Sequence, residues 1–185
     1  MIKMMSLLNE NKNHKYEYGC VMLYFTFPEM KYLHNMIDPK DIYTEEGDGS
    51  FGLEDEPHTT LLFGLHDTVS LDDVKEVLKK FTFGDLTAHQ PSLFENKKYD
   101  VLKFDMKYPN KGDNFLHKCN NALKNYPFTS DFPNYHPHMT IGYIKPGKGL
   151  KYVRKIGQIE YTLTPQYGVF SQPDGTKTKI EINVR

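Results

Sequence analysis

Two short stretches of this chain carry side chains that can move protons and hold a phosphate: Pro57-His58-Thr59-Thr60-Leu61-Leu62-Phe63-Gly64 and Pro137-His138-Met139-Thr140-Ile141-Gly142-Tyr143. Each has a proline, then His-x-Thr, then an aliphatic run with a glycine. Cleaving an RNA-type phosphodiester without metal requires a base to deprotonate the nucleophile, an acid to protonate the leaving oxygen, and donors for the phosphoryl oxygens. Histidine titrates near neutrality, so a pair can supply one neutral and one protonated imidazole. Thr60 and Thr140 can donate hydrogen bonds to the non-bridging oxygens. The residue types leave open which histidine is the base.

Both stretches are β-branched, aliphatic and aromatic, bounded by Pro and Gly, and so predict strands. Side chains alternate faces along a strand. Strict alternation places His58 and Thr60 on one face, with Thr59, Leu61 and Phe63 opposite. It likewise places His138 and Thr140 together, with Met139, Ile141 and Tyr143 behind them.

The surrounding chain predicts the elements that present these strands. Residues 16–27 read as a first strand, 29–37 as a short helix and 38–56 as an acidic, Gly-punctuated surface loop bordering the site. Ser70 caps a helix over 71–80, with Asp72 and Asp73 in its first turn and Lys79 and Lys80 in its last. Strands at 81–94 and 99–107 and a helix over 113–125 precede the second motif. A basic helix near 150–155 and strands at 158–170 and 176–184 follow it. Each half thus holds a His-x-Thr strand with a helix and a strand pair after it. Helices mixed with largely antiparallel strands indicate an α+β fold.

The 185 residues suffice for one compact domain, or two lobes sharing a core, over 16–185, behind an Asn- and Lys-rich flexible tail at 1–15. The formal charge of −1 lacks the basic excess of a protein that tracks long nucleic acid, so any nucleotide substrate is expected to be small or held by a local patch. Cys20 and Cys119 are the only cysteines, which excludes a disulfide framework and points to a reducing, cytoplasmic setting. Residues 1–15 have no signal-like apolar run and no segment reads as a membrane span. Protein partners leave no trace in the sequence.

Other readings of the same residues stay open. A metal could use His136 and His138, which share a strand face, with His58, although no cysteine pair or HExxH accompanies them. His66, His89 and His117 read as surface histidines. Tyr18, Tyr24 and Tyr143 are candidate substrate-binding platforms for stacked bases, or core packing. The basic run of Lys145, Lys148, Lys151, Arg154 and Lys155 either guides phosphates or forms a solvated face.

The two His-x-Thr motifs, 80 positions apart within a repeated element order, resemble those of the 2H phosphoesterase superfamily. That resemblance implies a bilobal, pseudo-two-fold fold, with mainly antiparallel sheets lining a central cleft. It further implies both histidines facing that cleft, and metal-independent chemistry on RNA ends or cyclic phosphates with no cofactor. The surroundings Tyr18-Gly19-Cys20-Val21-Met22-Leu23-Tyr24 and Gly52-Leu53-Glu54 look like the phage-encoded branch, which includes anti-CBASS phosphodiesterases. By that likeness the substrate is a small cyclic oligonucleotide and the location the host cytoplasm. An RNA-end 2′,3′-cyclic or 2′–5′ phosphodiesterase is the alternative enzyme. A protein that sequesters nucleotides or RNA without turnover is the alternative of another class.

Overall fold

The computed structural model describes residues 17–132 and 134–185, so the 1–15 tail lies outside the described residues. Its elements are β1 (Gly19–Phe25), α1 (Glu29–Asn35), β2 (His58–Leu65), α2 (Leu71–Lys79), β3 (Thr82–Phe83), β4 (Leu86–Glu95), β5 (Asp100–Lys107), α3 (Phe115–Leu123), β6 (His138–Ile144), α4 (Gly149–Ile156), β7 (Glu160–Leu163), β8 (Pro165–Ser171), β9 (Lys177–Ile180) and β10 (Asn183–Val184). Two four-stranded antiparallel sheets, ordered β2-β1-β8-β9 and β6-β5-β4-β7, make an α+β fold, with a small parallel β10-β3 pair. Each motif strand is the first in its sheet, and β2 and β6 approach within 8 Å between Cα atoms. The sheets therefore meet at their motif strands.

Two expected strands divide at one junction. The run at 81–94 breaks into β3 and β4, and that at 158–170 into β7 and β8. Thr164 donates to Asp85 at 2.6 Å where both chains bend, after which β8 joins the other sheet. Each sheet thus contains strands from both halves of the sequence.

The connections exchange lobes as well. Helix α1 lies between β1 and β2 in sequence but packs on β6, while α3 lies between β5 and β6 and packs on β2. Residues 38–56 form an irregular surface segment, as expected, but it is not wholly solvated. They run along the free edge of β6, where Tyr143 N–H donates to the Gly52 carbonyl (2.7 Å) and Glu54 N–H to Ile141 (3.0 Å). Phe51, Glu54, Asp41 and Ser50 are buried there. An unpaired edge leaves backbone donors and acceptors unsatisfied, and this segment satisfies them. Residues 127–129 do the same for β2: His66 N–H donates to Pro127 (3.0 Å) and Thr129 N–H to Gly64 (2.9 Å). Gly64 sits at φ +108°, and a Cβ there would lie 1.8 Å from the Thr129 carbonyl oxygen. Only glycine permits that approach.

One continuous core joins the lobes. Leu23, Leu61, Leu102, Phe104, Met139 and Ile141 are all fully buried in it, beneath the helices. The opposite faces of both sheets are left to form the cleft. Ser70 caps α2 as expected, in a reciprocal pair with Asp73.

Candidate active site

The backbone of the two motifs is repeated hydrogen bond for hydrogen bond. The Pro57 carbonyl accepts from Phe25 N–H and the Pro137 carbonyl from Met106 N–H, both at 2.9 Å. His58 Nδ1 lies 2.7 Å from the Glu56 carbonyl oxygen and His138 Nδ1 lies 2.8 Å from that of His136. A carbonyl only accepts, so both Nδ1 atoms carry the proton and both Nε2 atoms are left for chemistry.

Each strand also bulges at the residue after its threonine. Met22 pairs with Thr60 and Val21 with Leu62, skipping Leu61; Lys103 pairs with Thr140 and Leu102 with Gly142, skipping Ile141. A bulge puts two consecutive residues on one side and shifts the alternation beyond it. Phe63 and Tyr143 therefore turn to the His-Thr face, contrary to strict alternation: Phe63 pairs with Cys20 and Tyr143 with Val101. The bulged carbonyls are met by side chains from the exchanged helices. Asn120 of α3 donates to Leu61 at 2.6 Å, and His34 Nε2 of α1 donates to Ile141 at 3.0 Å. Neither residue stood out in the sequence.

Support for the two imidazoles differs. His58 pairs across the sheet with Tyr24, and their rings stack at 5.4 Å; Tyr24 stacks in turn on Tyr167 at 5.3 Å. The Tyr24 hydroxyl donates to Glu56 at 3.3 Å, fixing the residue whose carbonyl orients His58. Burial raises the Glu56 carboxyl above its ordinary value; Lys177, Tyr24 and His58 pull the other way. The Cys20 thiol reaches the Thr60 hydroxyl and is pushed up to about 12 by burial.

His138 pairs instead with Asp105, and Thr140 with Lys103. Lys103 is 3% exposed and donates to Asp105 (2.6 Å) and to Ser92 (2.7 Å), with its ammonium 4.2 Å from the centre of the Phe94 ring. Phe94 meets His138 edge to face at 4.9 Å. His138 is partly exposed. Burial pushes it down to about 4; the Lys103 and His58 charges add to this, while its bond to His136 and Asp105 oppose it. Asp105 is raised by burial, but Lys103, Ser92 and His138 more than compensate and hold it below the usual carboxylate range. The His58 charge is among those acting on His138, and the strands that carry them, β2 and β6, lie side by side.

The three candidate platforms fall in different places. Tyr24 has its ring faces covered by His58 and Tyr167. Tyr143 is 4% exposed and enclosed by Phe51 and Tyr99. Tyr18, six positions and about 20 Å of strand from Tyr24, is half-exposed in a surface pocket of about 530 Å³ with His66 and Thr129. The basic run is largely engaged: Lys145 and Lys155 donate to the Lys40 and Met36 carbonyls, and Lys151 pairs with Asp41. His66, His89 and His117 are part-buried, bonded to Thr129, Glu160 and Tyr108. Among the described residues no three His, Cys, Asp or Glu side chains converge as a metal-binding set, and no helix is long and apolar enough to cross a membrane.

No family model and no curated protein matches the sequence. Solved structures do match the fold. Usb1 of Kluyveromyces marxianus superposes with a TM-score of 0.55 at 9% identity, over 90% of this chain and 99% of that one. Its structure with uridine monophosphate gives 0.56 at 9%, over 90% and 98%. Escherichia coli LigT complexed with 3′-AMP gives 0.50 at 14%, over 89% and 97%. Usb1 and LigT belong to the 2H phosphoesterase superfamily, and the fold of this chain is the 2H phosphoesterase fold.

Proposed function

We propose that the chain is a metal-independent phosphodiesterase that cleaves 3′–5′ bonds in cyclic oligonucleotide second messengers, allowing a phage to evade bacterial CBASS immunity. The observation that carries the chemistry is the paired tether: both imidazoles are held by Nδ1, with Nε2 free and a threonine two residues on. Neighbours of the same fold hold uridine monophosphate and 3′-AMP, which supports a nucleotide substrate. The formal charge of −1 and the phage-like stretches at 18–24 and 52–54 favour a small cyclic one.

The surroundings of the two imidazoles favour one division of roles. A base must be unprotonated, and His138, pushed down to about 4, is neutral at physiological pH. His138 Nε2 therefore takes the proton of the ribose 2′-hydroxyl, whose oxygen bonds to phosphorus. The bond from phosphorus to the 5′-oxygen breaks, and His58 Nε2–H protonates that oxygen, with Glu56 close by as countercharge. Thr60 and Thr140 donate to the non-bridging oxygens as negative charge grows. The product is linear with a 2′,3′-cyclic phosphate end, which water opens with the roles reversed.

Chromatography of a cyclic di- and trinucleotide panel incubated with protein in EDTA tests this, beside the His58→Ala/His138→Ala double variant. Linear products from wild type alone are expected. Retention of a nucleotide without cleavage would replace the enzyme with a sequestering protein, and inertness on the panel would move the substrate to RNA ends.

A further inference from the structure

Strand β9 closes one side of the cleft face and carries two cations onto it. Lys177 pairs with Ser171 and Lys179 with Val169; these in turn pair with Cys20 and Met22, and Met22 with Thr60. Lys179, Val169, Met22 and Thr60 thus form one row on the His-Thr face, spanning three strand spacings, about 14 Å. The Lys179 ammonium sits 4.0 Å from the centre of the Tyr167 ring, at the far end of the stack that begins with His58.

Lys177 is half-buried, and among the described residues its ammonium has no hydrogen bond or ion pair. Cys20 and Glu56 lie within electrostatic reach of its charge. Burial lowers it to about 8 even though Glu56, Glu54 and Cys20 favour its charged form. The carboxylates offset part of the cost of desolvating this cation, no bond holds its ammonium among the described residues, and a bound anion lowers the remaining cost.

We infer that Lys177, with Lys179 beside it, is a subsite for a second phosphate, one nucleotide away from the phosphate held by Thr60 and Thr140. The subsite rests on the nucleotide reading of the cleft and narrows it. The preferred substrate carries at least two phosphates, as cyclic and linear oligonucleotides do, and a mononucleoside cyclic phosphate fills only half the face.

Equilibrium binding tests this independently of turnover, using 2′-deoxy dinucleotides that lack the nucleophilic hydroxyl. Three ligands are compared: a dinucleoside monophosphate, its 5′-phosphorylated linear form and the cyclic dinucleotide. Wild type is expected to bind the two-phosphate ligands about tenfold more tightly than the one-phosphate ligand. Lys177→Gln loses that gain while keeping its one-phosphate affinity, which also reports an intact fold; Lys179→Gln loses part of it. Loss in the cyclic arm alone assigns the second phosphate to a ring, and loss in both arms to any adjacent phosphate; each supports the subsite. Equal weakening towards all three ligands, or no wild-type gain from a second phosphate, overturns it. Turnover of the ribose counterparts is read separately. Discrimination without turnover removes the phosphodiesterase but keeps the subsite, whereas turnover without discrimination removes the subsite alone.

Discussion

The two motif strands share a backbone and differ in what lies next to them. In both, proline accepts from the neighbouring strand, Nδ1 is tied two residues back, and a bulge follows the threonine. Beside His58 stand two stacked tyrosines and a carboxylate; beside His138 stand a buried lysine, its aspartate and a phenylalanine edge. Pseudo-symmetry of the chain supplies two equivalent imidazoles, and a general acid–base pair needs two inequivalent ones. Their neighbours break the symmetry: stacked tyrosines and a carboxylate on one side, a lysine–aspartate pair and a phenylalanine edge on the other.

The strongest way to break this comparison is to remove either imidazole. His58→Ala and His138→Ala are each expected to lower kcat by roughly 10²–10⁴-fold, and the double variant by less than the product, because the pair acts as a unit. A single variant that retained full turnover would remove the division of roles. Tyr24→Ala opens a cavity in the stack and should cost about 3–5 kcal/mol in urea unfolding. Phe94→Ala, at an exposed position, should cost far less, so equal losses would contradict the asymmetry of support.

Acid titration reads the buried side directly. His138 is depressed to about 4, so between its ordinary value and 4 the unfolded chain binds a proton that the folded chain does not. Stability therefore falls as pH drops through that window, by about 3 kcal/mol at most. His138→Gln should flatten this part of the stability curve, and an unchanged curve would place the ring in solvent.

Two charge changes should then move the acid limb of the kcat/KM profile in opposite directions. Lys103→Met removes a positive neighbour and raises His138, shifting the limb to higher pH; Asp105→Asn removes a negative one and shifts it lower. Shifts of one sign in both variants would refute the network as the source of the depression. The smallest effect is expected from Tyr24→Phe, which deletes only the bond to Glu56 and should cost about 0.5–1.5 kcal/mol, leaving that limb in place.

Much of this was legible in the residues. His58, Thr60, His138 and Thr140 were visible because their types and repetition are chemical signals, and the helix cap at Ser70 because capping is local. Lys103 and Asp105 were visible only as the polar positions of an alternating strand, with Leu102, Phe104 and Met106 between them. Such a face ordinarily meets water. Only its pairing with β6 reveals that it lines the cleft. Residues 38–56 were legible only in part: Gly and acidic residues read as a surface loop, and nothing local showed that Phe51 and Glu54 are buried along the edge of β6.

The sequence by itself determined the element types, the apolar backs of the motif strands and the His-x-Thr pair, since each depends on neighbours a few residues away. Tertiary structure alone decided the bulges that turn Phe63 and Tyr143 towards the cleft, and the exchange of α1 and α3 between lobes. It also decided which charges flank each imidazole. Those depend on strand partners distant in the chain, and a one-residue slip in pairing reverses every face beyond it.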